Sequence, residues 1–336
     1  MVLLDAVYIN NSGGKILLNY LVEILYKSKK EVFYLLDLRV KGDYEFLQED
    51  KVQYLESSLL KRHSFYRANQ NRFSTVLCFG NIPPTFKLKV NVYTYFHNSI
   101  YFFTTKEFSI KERLLISAKS WLIRLFKNNT DKWWVQTEQM SFQFAKYWNI
   151  GSGKIDVLPF YSSIDNRETI VTNREKYSFL YISDGHPNKM HLQLLEAFKE
   201  LFKVCPQSKL YLTISPQYPA LLDKINTMQT EGLSVENLGW CSREVLRKLY
   251  QKLGFFIFPS NQESFGLGLI EAAQYGMKIL ASDLPYVHAV IKPSLTFNPN
   301  DKSSIINAMI VAINNDLPIA KLSVANQIDQ ILEKLN

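Results

Sequence analysis

Cysteine is scarce: Cys78, Cys205 and Cys241 are the only three in 336 residues, far apart and without metal-ligand spacing. That argues against a disulfide framework or a zinc site and fits reduced core thiols of a cytoplasmic protein. Long apolar runs are absent too. Leu253–Phe258 stops at Pro259, and no stretch approaches the roughly 18 residues that cross a bilayer. No early segment joins a charged start, an apolar stretch and a small-residue cleavage site, so a secretory signal is not expected. SGGK at Ser12–Lys15 lacks the G-x4-G-K-[ST] pattern that wraps a triphosphate, which removes a kinase-type loop.

What is present is the material of a folded protein. Hydrophobic residues make up 47% of the chain and aromatics 14%, which supplies ample apolar surface for a core. At this length the expectation is two domains of roughly 150 residues each. The net charge of +8 points to an anionic partner without naming it.

Strand and helix patterns alternate along both halves. In the first, strand-like runs at Val2–Ile9, Glu31–Leu36, Thr75–Phe79, Asn91–Phe96, Lys132–Gln136 and Lys154–Leu158 are separated by helical patterns, among them Gly14–Lys27 and Ile110–Lys127. In the second, strand signals at Phe179–Ser183, Lys209–Ile214, Phe255–Phe258, Lys278–Ala281 and Thr296–Asn298 alternate with helices in the same way. The expected fold class is therefore α/β, with two doubly wound parallel sheets facing across a cleft at the carboxyl ends of their strands. The polar stretch from Ser162 to Lys176 reads as the linker. The expected organisation is an acceptor-side domain over 1–161, a linker over 162–176, a ligand-binding domain over 177–316, and a closing helix within 317–336 that packs back on the first domain.

The stretch FPSNQESFGLGLIEAAQYG, Phe258–Gly276, carries Glu263 and Glu271 around Gly266 and Gly268. A buried strand ends at Pro259, a loop follows, and a helix begins whose free N–H groups suit a diphosphate. Carboxylates do not bind phosphate, but they accept strongly from paired hydroxyls. Two acids flanking a diphosphate cradle suggest a hydroxyl-bearing group at each end, a ribose at one and a sugar at the other.

The segment Gly239–Pro285, with its E-x7-E pair, internal FG, preceding PS and following EA-x3-G, resembles the nucleotide-sugar-binding core of glycosyltransferase family 4. Weaker matches extend the likeness over most of the chain: SGGK, HNS at His97–Ser99, VLPF at Val157–Phe160 and PNK at Pro187–Lys189. The resemblance implies a retaining, metal-independent enzyme of the GT-B fold, two Rossmann-like domains, that needs no cofactor and takes a nucleoside diphosphate sugar as co-substrate. It implies that Glu271 accepts from ribose hydroxyls and that Phe265, Gly266 and Leu267 offer backbone N–H groups to the donor. It makes Glu263 a contact of the transferred sugar and Lys189 the cation that neutralises the leaving diphosphate. It sets His97 at the sugar, with Gly13 and Gly14 beside the acceptor. The arginine that usually precedes the phosphate lysine is absent, since Ser183–His186 reads SDGH, which leaves Arg243 or Lys248 to supply a second cation. No Asp-x-Asp motif occurs to hold a divalent metal on the diphosphate, so no metal is expected.

The alternatives are weaker. GLGLIE is a truncated dinucleotide fingerprint, late in its domain and without the third glycine, which disfavours a nucleotide-binding oxidoreductase. The bases are not interleaved with aromatics in any nucleic-acid module pattern, so a non-catalytic nucleic-acid-binding protein is disfavoured as well. By analogy with small bacterial enzymes of this family, the expected setting is lipopolysaccharide O-antigen, capsule or exopolysaccharide synthesis, with a lipid-linked or saccharide acceptor. Between Lys106 and Lys127 bases exceed acids by four, while Leu114, Leu115, Ala118, Trp121, Leu122, Leu125 and Phe126 recur at helical spacing. Two readings stay open: a core-facing helix with a solvated basic side, or a helix on an anionic membrane surface, which would make the enzyme cytoplasmic and peripheral on the inner face of the plasma membrane.

Overall fold

In a computed structural model the described residues are 1–102, 109–164 and 173–336. They divide into two compact units, Met1–Ser162 with Ala325–Asn336, and Ser163–Val324. Lys106 and Glu107 of the basic stretch, and Asp165, Asn166, Arg167 and Thr172 of the expected linker, lie outside the described residues.

The first unit runs β1 Val2–Ala6, α1 Ser12–Lys27, β2 Val32–Asp37, β3 Val52–Leu55, α2 Leu59–Asn69, β4 Thr75–Cys78, β5 Asn91–Phe96, α3 Ile110–Phe126, β6 Lys132–Val135, α4 Glu138–Trp148 and β7 Ile155–Val157. Its strands form one parallel seven-stranded sheet in the order β3-β2-β1-β4-β5-β6-β7. The strand order reverses between β1 and β4, and in open α/β sheets that switch point is where ligands bind, beyond the carboxyl ends of the strands. Apolar clusters among the described residues pack this unit. One gathers Leu3, Phe33, Phe65 and Phe73, and another Phe96, Trp133, Phe144 and Trp148.

The second unit runs β8 Glu175–Tyr181, α5 His191–Val204, β9 Lys209–Leu212, α6 Pro219–Thr230, β10 Val235–Asn237, α7 Arg243–Lys252, β11 Leu253–Phe258, α8 Leu267–Gln274, β12 Lys278–Ser282, α9 Pro285–Val290, β13 Ile291–Lys292, β14 Leu295–Phe297, α10 Lys302–Asn314 and β15 Lys321–Leu322. Six of these strands make a parallel sheet in the order β10-β9-β8-β11-β12-β14, and β13 pairs with β15. All six residues of β11 are buried, as an inner strand covered on both faces requires. Here the switch point falls between β8 and β11. Glu175 and Lys176, at the end of the expected linker, already belong to β8, and Arg174 donates to the carbonyls of Leu253 and Tyr275. The polar stretch is thus partly built into the second unit.

The chain closes with α11, Ile328–Lys334. Residues from Ala325 onward cluster with the first unit. There Gln327 N–H donates to the Pro159 carbonyl at 2.7 Å, and Lys334 pairs with Asp156 at 3.3 Å. No helix among the described residues is long and apolar enough to cross a membrane.

Candidate active site

At the switch point of the second unit, the loop after β8 and the loop after β11 are tied together. Asn188 accepts from Asn261 N–H at 2.9 Å and from Ser260 Oγ at 3.0 Å through its carbonyl, and donates through Nδ2 to the Gln262 carbonyl at 2.9 Å. The next residue is Lys189, whose carbonyl accepts from Tyr181 Oη at 3.0 Å. With both sides of its backbone fixed, Lys189 points Nζ at Glu263 Oε1, 2.6 Å away, and both side chains are largely shielded from solvent. The sequence suggested one role on the diphosphate and one on the sugar for these residues. The structure makes them direct partners.

Gly266 follows, with φ +72°, and serves as the left-handed residue in front of α8. A side chain there would be strained, so glycine is what lets the chain turn into the helix directly after the β11 loop. Helix starts leave their first N–H groups without intrahelical acceptors. In α8 these belong to Leu267 and Gly268, beside the Lys189–Glu263 pair in sequence and at the same edge of the sheet. Phe265 is buried, so its ring anchors the loop, and Gly266 beside it is buried as well.

Glu271 lies one turn into α8 and has a different partner. Tyr250 Oη of α7 donates to its Oε2 at 3.0 Å, and Tyr250 stacks on Tyr275 at 5.1 Å. Burial raises the Glu271 carboxyl above its ordinary range, against the lowering pull of the Tyr250 hydrogen bond and the positive charge of Arg243. The two acids of the E-x7-E motif are therefore held by different elements in different surroundings. Of the two candidate second cations, Arg243 at the start of α7 acts on Glu271, whereas Lys248 pairs with Glu244 on an exposed face. Just before α7, Trp240 follows Gly239 and is 85% exposed.

In the first unit the residues singled out also meet at the switch point. Gly13 and Gly14 lie in the first turn of α1, directly after β1, and His97 directly after β5. A Cβ on Gly14 would stand 3.0 Å from His97 Cε1, so a side chain there would require the imidazole to give by a few tenths of an ångström. His97 stacks on Phe79 at 4.9 Å, and its Nε2 lies 3.0 Å from the Phe79 carbonyl, which can only accept. Nε2 thus carries the proton, and Nδ1 is left as an acceptor. Burial pushes the His97 pKa down to about 4, so the ring is neutral at ordinary pH. Lys15 is engaged by Asp43 and Tyr44, both at 2.9 Å.

Three residues were not singled out from sequence. Asn81, buried at φ +66°, accepts from His97 N–H at 2.8 Å and so fixes its backbone. Arg62 is buried and donates to the carbonyls of Ile82 and Pro83, both at 2.9 Å, while pairing with Asp5 at 2.6 Å. It anchors the loop that carries Asn81. Tyr250 holds Glu271. Only Asn81 left a sequence signal, an asparagine after glycine at a strand end, a place that favours left-handed backbone.

Comparison with known proteins adds a family match. The model for glycosyl transferases group 1 matches residues 162–328. The serotype-specific mannosyltransferase WbdA of Escherichia coli is 26% identical over 171 residues, which is 50% of this chain but 20% of WbdA. The O-antigen chain mannosyltransferase RfbU of Salmonella typhimurium is 26% identical over 169 residues, 48% of this chain and 44% of RfbU. The chain thus matches less than half the length of each of these relatives. Among solved structures, Anabaena HepE in complex with UDP and glucose superposes with a TM-score of 0.69 at 14% identity, covering 99% of this chain and 98% of HepE. At that identity the likeness speaks for the fold, GT-B.

Proposed function

We propose that this chain, whose residues 162–328 match the model for glycosyl transferases group 1, moves a sugar from a nucleoside diphosphate donor to a hydroxyl acceptor with retention at the anomeric carbon. The observation that carries the reading is the meeting, at the β8/β11 switch point, of a lysine, an acid and a helix start.

As the glycosidic bond breaks, negative charge grows on the diphosphate. Lys189 and the N–H groups of Leu267 and Gly268 meet it, preorganised donors being worth most where charge develops. The diphosphate competes with Glu263 for Lys189, and Glu263, once released, accepts from hydroxyls of the transferred sugar. Glu271 accepts from the ribose, Arg243 adds the second positive charge, and Trp240 offers a flat apolar face to the base. His97, through Nδ1, accepts from a sugar hydroxyl, and Gly13 and Gly14 line the acceptor side. The leaving group's charge is met by side chains and backbone, so the reaction runs without a divalent metal or other cofactor.

O-antigen synthesis is the setting we favour, because RfbU and WbdA are named for it or for serotype. A lipid-linked acceptor would bring the enzyme to the inner face of the plasma membrane. UDP as the donor nucleotide is supported by the UDP complex of HepE. The test is a screen of UDP- and GDP-sugars for slow hydrolysis and for transfer. No turnover with any donor, and no protection of the second unit by UDP or GDP, would overturn the reading.

A further inference from the structure

The helix α3 presents to solvent the apolar face that a buried helix would turn inward. Its buried residues are Ile116 and Ile123, which join the core with Phe96, Phe144 and Trp148. Ile110, Leu114, Leu115, Trp121 and Leu125 are all exposed, Trp121 at 60% and Ile110 at 75%. At 100° per residue, Ile110, Leu114, Ala118, Trp121 and Leu125 fall within an arc of about 80°. Arg113 and Arg124 border this stripe on one side and Lys111 on the other, all three exposed. Glu112 lies roughly opposite the stripe and is spent on the capping box with Ser109. Lys119 also turns away. It is half-buried, and desolvation, then the charge of Arg39, lowers its pKa.

We propose that this stripe is a membrane-inserting surface: Ile110, Leu114, Trp121 and Leu125 enter the acyl boundary of a leaflet while Lys111, Arg113 and Arg124 engage anionic headgroups. The pattern is that of an interfacial helix, a narrow apolar face with an indole, rimmed by bases that reach the phosphates. Charge complementarity selects the lipid surface over another protein, since a protein partner would need a matched acidic rim around an apolar groove. The surface deepens the peripheral-membrane reading above and rests on it only for the nature of the acceptor. It corrects one detail of the charge argument, because Lys119 takes no part.

The test is co-sedimentation of the full chain with neutral phosphatidylcholine vesicles and with vesicles containing phosphatidylglycerol, at low and physiological salt. The parent is expected to bind the anionic vesicles and to keep a salt-resistant fraction, which insertion gives and pure charge attraction does not. L114S with L125S should remove that fraction and lower partitioning at least tenfold. K111Q, R113Q and R124Q should each lower it about fivefold at low salt, and K119Q should not. Brominated acyl chains should quench Trp121 in a W240F background. Donor hydrolysis and thermal midpoint should be unchanged in the L114S/L125S variant. Vesicle binding by L114S/L125S equal to the parent's overturns the proposal, as does a parent that ignores vesicles but forms a dimer abolished by these changes. A parent that binds vesicles yet turns over no donor sinks the transferase reading and leaves this surface standing.

Discussion

Lys189 Nζ and Glu263 Oε1 stand 2.6 Å apart, the cation from the loop after β8 and the acid from the loop after β11. The pairing keeps a shielded ammonium compensated, and a diphosphate can displace the single carboxylate because it offers more charge in the same place. Lys189→Ala should therefore lower kcat about 10²-fold, as loss of a preorganised charge at a developing anion does. Glu263→Gln should lower kcat while KM for the donor stays level or falls, because a ground-state competitor for Lys189 has gone. EDTA should leave the rate unchanged. Steady-state kinetics decides: a rate abolished by chelation and restored by magnesium would move the leaving-group charge from Lys189 to a metal.

Glu271 should behave differently from its motif partner. A ribose contact contributes equally in ground and transition states, so Glu271→Gln should raise donor KM more than it lowers kcat. Tyr250→Phe should do the same to a smaller degree, about 3–10-fold, the scale of an ordinary hydrogen bond, because Tyr250 orients the carboxylate without touching the ribose. Because the folded Glu271 carboxyl has a raised pKa, donor affinity should weaken as pH falls toward that range, and Tyr250→Phe should move the midpoint upward. A collapse of kcat at constant KM in Glu271→Gln would reassign this acid to the reacting end.

The motif residues were legible because each combines a residue type with a break in local pattern: acids and glycines after a wholly apolar strand, a lysine opening a helix. Strand signals of the inner strands were equally clear, since β1, β4 and β11 are buried along their whole length and β8 over its last four residues, which concentrates apolar residues there. Of the strands that left no signal, β13 and β15 have two residues each, and β3 and β10 each lie at one edge of a sheet. The latter two span four and three residues and are only half covered, so they carry neither an apolar run nor a regular alternation. Helix α3 left two readings open for a different reason. Its apolar spacing is real, but periodicity fixes a face and not which way the face points. Tyr250 and Arg62 act through contacts 21 and 57 residues away in the chain, which no local pattern records.

Gly14→Ala tests the first unit without touching its core. The new Cβ would press on His97 Cε1 at 3.0 Å, and alanine is otherwise at home in a helix. The thermal midpoint should shift little, while displacement of ring Nδ1 from its hydroxyl partner should cost about 10-fold or more in kcat/KM. An alanine variant with parental kinetics would show that His97 is structural.

Acid should destabilise both units through one histidine in each, His97 and His191. The His97 pKa is pushed to about 4 and that of His191 to about 3, chiefly by burial, from an ordinary value of 6.5. The unfolded chain therefore binds protons below pH 6.5 that the folded chain refuses until pH falls through those values. Stability is fully present above pH 6.5 and declines as pH falls through the window, by about 1.4 kcal/mol per pH unit for each group. His191 is buried with neither ring nitrogen hydrogen-bonded among the described residues, and stacks near Tyr181 at 4.8 Å. His191→Phe should flatten the acid limb measured by urea unfolding between pH 6.5 and 4. An unchanged slope would mean that His191 titrates normally.

The Asp5–Arg62 pair should separate stability from positioning. Both side chains are about 2% exposed, and Tyr66 Oη also donates to Asp5. Removing one charge leaves the other buried and uncompensated, so Arg62→Met should cost roughly 3–5 kcal/mol in the unfolding of the first unit. Replacing both, Arg62→Met with Asp5→Leu, should recover much of that loss, because no orphan charge remains. Activity should not recover. Arg62 also holds the carbonyls of Ile82 and Pro83, and without it the loop bearing Asn81 no longer fixes the backbone of His97. The double variant should thus be stable and slow, with kcat reduced more than donor KM. A double variant that regains both stability and rate would confine Arg62 to the core and leave the placement of His97 to Phe79 and Gly14 alone.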